Sequence, residues 1–108
     1  MPTFSPAFAH PGQLDKEIKK AIRKLDKNDV ISVNYSIHED STDDLAIFFR
    51  VLLTDAAAGR EDQLGELGRR ISTTVLDVVR PHENWGLLAY FSYRSESEQA
   101  QRKDSKWP

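Results

Sequence analysis

There is no cysteine among the 108 residues. Disulfides, thiolate zinc sites and cysteine nucleophiles are therefore excluded together, and the composition fits a reducing compartment. Long apolar runs are missing too: none approaches the ~20 residues that a membrane-spanning helix needs. Met1 to Gly12 has neither the basic start nor the apolar stretch of a secretory signal. The expectation is a soluble, cytoplasmic protein with no membrane partner. The chain has no Gly-Lys-Ser/Thr phosphate loop and no nucleophile elbow, so no cofactor is expected. Glycine and proline are scarce, with five of each. Pro2, Pro6 and Pro11 all precede residue 13, which leaves most of the chain without strong breakers of regular structure.

What the sequence does contain is clean periodicity. Residues 1–12 carry no period and read as an extended arm. From Gln13 to Lys27 the apolar residues Leu14, Ile18, Ala21, Ile22 and Leu25 recur at helical spacing. Asp15 and Glu17 suit a first turn, and Asn28 suits a left-handed cap. Lys16, Lys19, Lys20, Arg23, Lys24 and Lys27 occupy the opposite face, which reads as a solvated surface, with phosphate contact as the alternative.

Ile31, Val33, Tyr35 and Ile37 alternate with Ser32, Asn34, Ser36 and His38, the period of a half-buried strand. After the polar turn Glu39–Asp44, a second strand from Leu45 to Thr54 is nearly all apolar, as a central strand should be. Ala56 to Arg80 reads as a second helix, ended by Pro81. A third strand follows from Trp85 to Arg94, and residues 96–108 read as a disordered polar tail. Residues 13–95 thus form one domain in the order helix, strand, strand, helix, strand. The strand-helix-strand step favours a parallel pair and the hairpin an antiparallel one. The expected fold is an α+β two-layer sandwich: a three-stranded mixed sheet with both helices on one face.

Parity sorts the sheet's faces. Arg50, Ser92 and Arg94 should avoid the helix-covered side, so Ile31, Val33, Tyr35, Ile37, Leu45, Ile47, Phe49, Val51, Leu53, Leu87, Ala89, Phe91 and Tyr93 face inward. The outer face carries Phe48, Leu52, Leu88 and Tyr90 beside Arg50, Arg94, Asn34 and His38. An apolar patch of that kind marks a contact surface. Phe48, Arg50, Leu52, Leu88, Tyr90 and Arg94 are therefore the expected interaction surface, for a second copy or another protein. The N-terminal arm, with Phe4 and Phe8, is the alternative cover.

Two motifs compete with this reading. His38, Glu39, Asp40, Asp43 and Asp44 gather one imidazole and four carboxylates within seven residues. Their spacing matches no calcium loop, so a solvated turn is expected, with neither a metal site nor an acid-base pair. The second motif, Leu64-Gly65-Glu66-Leu67-Gly68-Arg69-Arg70-Ile71, resembles the Gly-x-x-Gly loop of KH domains. The element order is similar to that of type II KH domains and of the ribosome-binding factor A family. That resemblance implies RNA binding, in ribosome maturation, with the backbone at Gly65 and Gly68 and the side chains of Arg69 and Arg70 near phosphates. Read from periodicity alone, the same segment continues as helix, with Leu67 on its apolar stripe. The chain is also similar to small single-domain α/β proteins of bacterial genomes, a likeness that implies no activity. The sequence therefore favours a non-enzymatic interaction domain, with the RNA-binding domain as the alternative.

Overall fold

The structure, a computed structural model, describes residues 6–103 and residue 107. A short helix α1 (Pro6–Ala9) leads into α2 (Pro11–Arg23). Pro11 starts α2 because its fixed φ suits the first turn and its missing N–H costs nothing there. The helix thus begins earlier than Gln13, and the extended arm expected over residues 1–12 is helical over Pro6–Ala9 and again from Pro11, with His10 between. Residues 1–5, with Phe4, lie outside the described residues. Ala7 is buried and α1 packs on α2, so Phe8 stays exposed and this segment does not cover the outer sheet face.

The early start moves Asp15 and Glu17 past the first turn, where each takes a tertiary partner. Asp15 accepts from the Tyr35 hydroxyl at 2.9 Å, and Glu17 accepts from Trp85 Nε1 at 2.9 Å. α2 ends at Arg23, short of the expected Lys27. Asp26 causes this: its carboxylate accepts from the Asn28 amide, and its carbonyl accepts from the amides of Asp29 and Val30. A side chain that binds nearby amides competes with the helix. Asn28 is consequently not in the left-handed region.

Strand β1 (Val30–Glu39) pairs antiparallel with β2 (Leu45–Leu53). A bulge between Val30 and Ser32 adds one residue to β1. One extra residue exchanges the faces of the strand end. Val30 therefore joins the core, while Ile31, expected inside, is 47% exposed. The remaining inward residues behave as the alternation predicts: Ile47, Phe49, Val51, Leu53 and Leu87 are core, with Val33, Tyr35, Ile37, Leu45, Ala89, Phe91 and Tyr93 packed against it.

The expected single helix over 56–80 is divided. Thr54 caps a short α3 (Asp55–Ala58) by accepting from the Ala57 amide, and Gly59 closes it. A 3-10 turn (Glu61–Gln63) precedes α4 (Leu64–Val79). The break thus falls at Gly59-Arg60, where Arg60 pairs with Asp29 at 2.6 Å. Pro81 does stop α4, but it also starts another turn, α5 (Pro81–Trp85), after Arg80 adopts the left-handed conformation. Trp85 is consequently a buried helical residue, not the start of a strand. Gly86, at φ 64°, makes the turn into β3 (Leu88–Ser95). A side chain there would be strained.

β3 lies parallel to β2, so the mixed sheet has the order β1-β2-β3. The buried stripes of α2 (Leu14, Ile18, Ala21) and α4 (Leu67, Ile71, Val75, Val79) meet its inner face. The result is the α+β fold that the sequence implied. The polar tail departs from expectation: Glu96–Arg102 forms α6, capped by the Ser95 hydroxyl accepting from the Glu98 amide.

Candidate interaction face

Cross-strand register organises the outer face into rows. His38, Ala46 and Leu88 share one. Ser36, Phe48 and Tyr90 share the next, followed by Asn34, Arg50 and Ser92. Ser32, Leu52 and Arg94 form the last. Rows two residues apart are ~6.7 Å apart along a strand.

The middle of this face is aromatic. The rings of His38 and Phe48 stack with centroids 4.1 Å apart and planes 10° from parallel. Phe48 in turn stacks on Tyr90 at 5.2 Å and 18°. One aromatic residue from each strand therefore builds a ladder across the whole sheet. Phe48 is half-buried between its neighbours, Tyr90 is 43% exposed and Leu88 is 37% exposed. Cross-strand aromatic pairs of this kind stabilise a sheet while leaving ring edges to solvent.

Polar groups bound the ladder at both ends. Toward the hairpin, the Tyr90 hydroxyl donates to Asp40 Oδ2 at 2.7 Å. Asp40 Oδ1 accepts from the amides of Thr42 and Asp44, which folds the turn with Asp43 left-handed at φ 62°. The Thr42 hydroxyl lies within hydrogen-bond distance of both Asp40 and Asp44. The hydrogen bonds from Tyr90 and then Thr42 hold the Asp40 carboxyl well below its ordinary pKa. Accepting from Tyr90 in this way pushes the Tyr90 phenol up. Toward the other end, Arg50 donates to the Ser36 hydroxyl at 2.7 Å. Among the described residues Arg50 has no carboxylate partner, and Glu39, Asp40, Asp43 and Asp44 have no basic one.

The last row is not open. α6 packs on β2 and β3, and Leu52 is only 7% exposed. Arg94 donates to Gln99 Oε1 at 2.8 Å and stands 4.3 Å from the centre of the Trp107 ring. A carboxylate clasp ties α6 down: Glu96 accepts from the Asp55 amide, while Asp55 accepts from the amide and hydroxyl of Ser97. Those bonds hold the Asp55 carboxyl below its ordinary range. Of the six expected contact residues, Phe48, Arg50, Leu88 and Tyr90 share one open area, while Leu52 and Arg94 lie under the C-terminal segment. His38 and Asp40 belong to the open area as well. The alternation in β1 put His38 on that face, but no local signal links Asp40 to a tyrosine fifty residues away.

Gly65 and Gly68 are ordinary helical residues in α4, and neither has a positive φ. Arg69 pairs with Glu66 at 2.6 Å, three residues earlier on the helix, and Arg70 is exposed. Gly68 admits the Tyr93 ring, whose hydroxyl donates to the Gly68 carbonyl at 2.9 Å. A cleft of about 690 Å³ near the C-terminal end of α4 is lined by His82 beside the Arg80–Glu83 ion pair. No group of three or more His, Asp or Glu among the described residues is placed to hold a metal. No described helix is long and apolar enough to cross a membrane. No protein-family profile, curated protein or solved structure matches the chain.

Proposed function

We propose that the chain is a non-enzymatic interaction domain that associates with a second copy of itself through the outer face of its sheet. The observation that supports this is the exposed ladder His38–Phe48–Tyr90 with Leu88 beside it. Ring edges and a leucine left in water are what a packed partner would bury. Three strands at ~4.8 Å and three open rows give a flat footprint of roughly 300 Å² per protomer. That lies well below the ~800 Å² per partner of a standard specific interface and implies a weak, reversible dimer.

The alternative, an RNA-binding domain of the type II KH kind, would act through Gly65, Gly68, Arg69 and Arg70. What favours the protein partner is that Gly65 and Gly68 continue as helix in α4 and that Arg69 is paired with Glu66, which leaves no Gly-x-x-Gly loop there to hold a phosphate chain. The test is light scattering on the wild type and on a variant carrying Phe48→Asp and Tyr90→Asp. A dimer at about 100 μM that becomes a folded monomer in the variant supports the reading. A wild type that stays monomeric, or a dimer that survives both substitutions, overturns it.

A further inference from the structure

Resting on that reading, we infer that two copies meet face to face in antiparallel register, with Arg50 of each placed against the Asp40–Asp44 hairpin of the other. The charge on the outer face is separated along the strands. Asp40 and Asp44 stand beyond the His38 row, and Arg50 stands two rows past it. Neither charge is matched within its own chain among the described residues. A face with opposite charges at its two ends is complementary to itself when one copy is turned end for end.

The register follows from the same rows. Pairing the acidic end with the Arg50 row puts the two-fold axis across the strands between the His38 row and the Phe48 row. The apolar residues are then central: Leu88 of one copy lies against the Phe48 and Tyr90 rings of its partner. The covered end of the sheet agrees independently. α6 and Trp107 occupy the Leu52–Arg94 row, so the part of the face left open is centred close to this axis. Packed sheets lie ~10 Å apart, a gap that an arginine on one side and an aspartate on the other can span. Arg50 is half-buried, and among the described residues its guanidinium donates to one hydroxyl, that of Ser36, so it retains donors for a carboxylate.

Charge reversal in two separate preparations tests the geometry. Arg50→Glu and Asp44→Arg each set like charges against one another twice per dimer. Each should weaken self-association at least tenfold by sedimentation. Mixed together, the two variants place Glu against Arg and Asp against Arg, and the mixture should associate within about threefold of wild type. Salt should weaken the wild type and the mixture alike. Circular dichroism checks that both variants fold. If Arg50→Glu does not, Arg50→Gln serves, with weaker association and a flatter salt dependence expected. Singles that associate like wild type, or a mixture no tighter than its components, overturn the register while leaving a Phe48- and Tyr90-dependent dimer intact. A monomeric wild type removes the dimer itself, and the register with it.

Discussion

Truncating Leu67 to alanine separates the two accounts of the segment around Gly65 and Gly68. Leu67 is 5% exposed and belongs to the core cluster with Ile71 and Val75. The change removes three carbon atoms, worth about 2.4 kcal/mol of lost burial. A cavity adds to that, but only modestly. The side chain borders a cleft of about 180 Å³ shared with Leu25, Val30 and Ile71, so the site can relax. The expected loss is about 2.5–3.5 kcal/mol, inside the range of buried leucine truncations. Gly65→Ala should move the other way. A Cβ built there meets nothing within 4 Å beyond its chain neighbours and its own helix backbone, and alanine in a helix is favoured by up to about 1 kcal/mol over glycine. Urea unfolding followed by circular dichroism gives both values from midpoints at constant slope. A near-neutral Leu67→Ala together with a destabilising Gly65→Ala would refute the helical account, because that pair of signs belongs to a strained exposed loop.

Val30→Ala should cost about 1.5–3 kcal/mol, while Ile31→Thr should stay within about 0.5 kcal/mol, in the same unfolding assay; equal costs would contradict the bulge. Tyr35 is pushed up to about 12 by burial and by its bond to Asp15, so ultraviolet titration should find one tyrosine ionising near there and not near 10. Asp55 has a lowered folded pKa, so the clasp to α6 is fully present above pH ~4 and weakens as pH falls further. Amide exchange at Ser97 should therefore accelerate in acid. Calorimetric titration with magnesium, calcium, manganese or zinc should give no one-to-one complex at the His38–Asp44 turn, and a complex lost on Asp40→Asn with Asp43→Asn would contradict that.

The sheet was legible because alternation is a local signal. Every inward residue of β2 could be read from Arg50 alone, and Phe48 and Tyr90 were placed by the same rule. The bulge at Ile31 was not legible, since an extra residue leaves the pattern of residue types unchanged while exchanging its faces. The break at Gly59-Arg60 was hidden because Asp55–Ala58 favours helix yet is too short to show a period of its own that could fall out of step with α4. α6 was missed because Glu96–Arg102 has no apolar stripe. It is held by Asp55, far away in sequence, and by its own serine cap. The open area was therefore only partly visible: Leu52 and Arg94 share the parity of Phe48 and Arg50, and only the three-dimensional path of the C-terminus covers them.

Residue-resolved chemical shifts, recorded as the protein is diluted from millimolar to micromolar concentration, test the self-associating face most directly. The account predicts concentration-dependent shifts at His38, Asp44, Phe48, Arg50, Leu88 and Tyr90, converging on one midpoint, with Gly65 to Arg70 unchanged. Shifts confined to Gly65–Arg70, or none anywhere on the sheet, would contradict it.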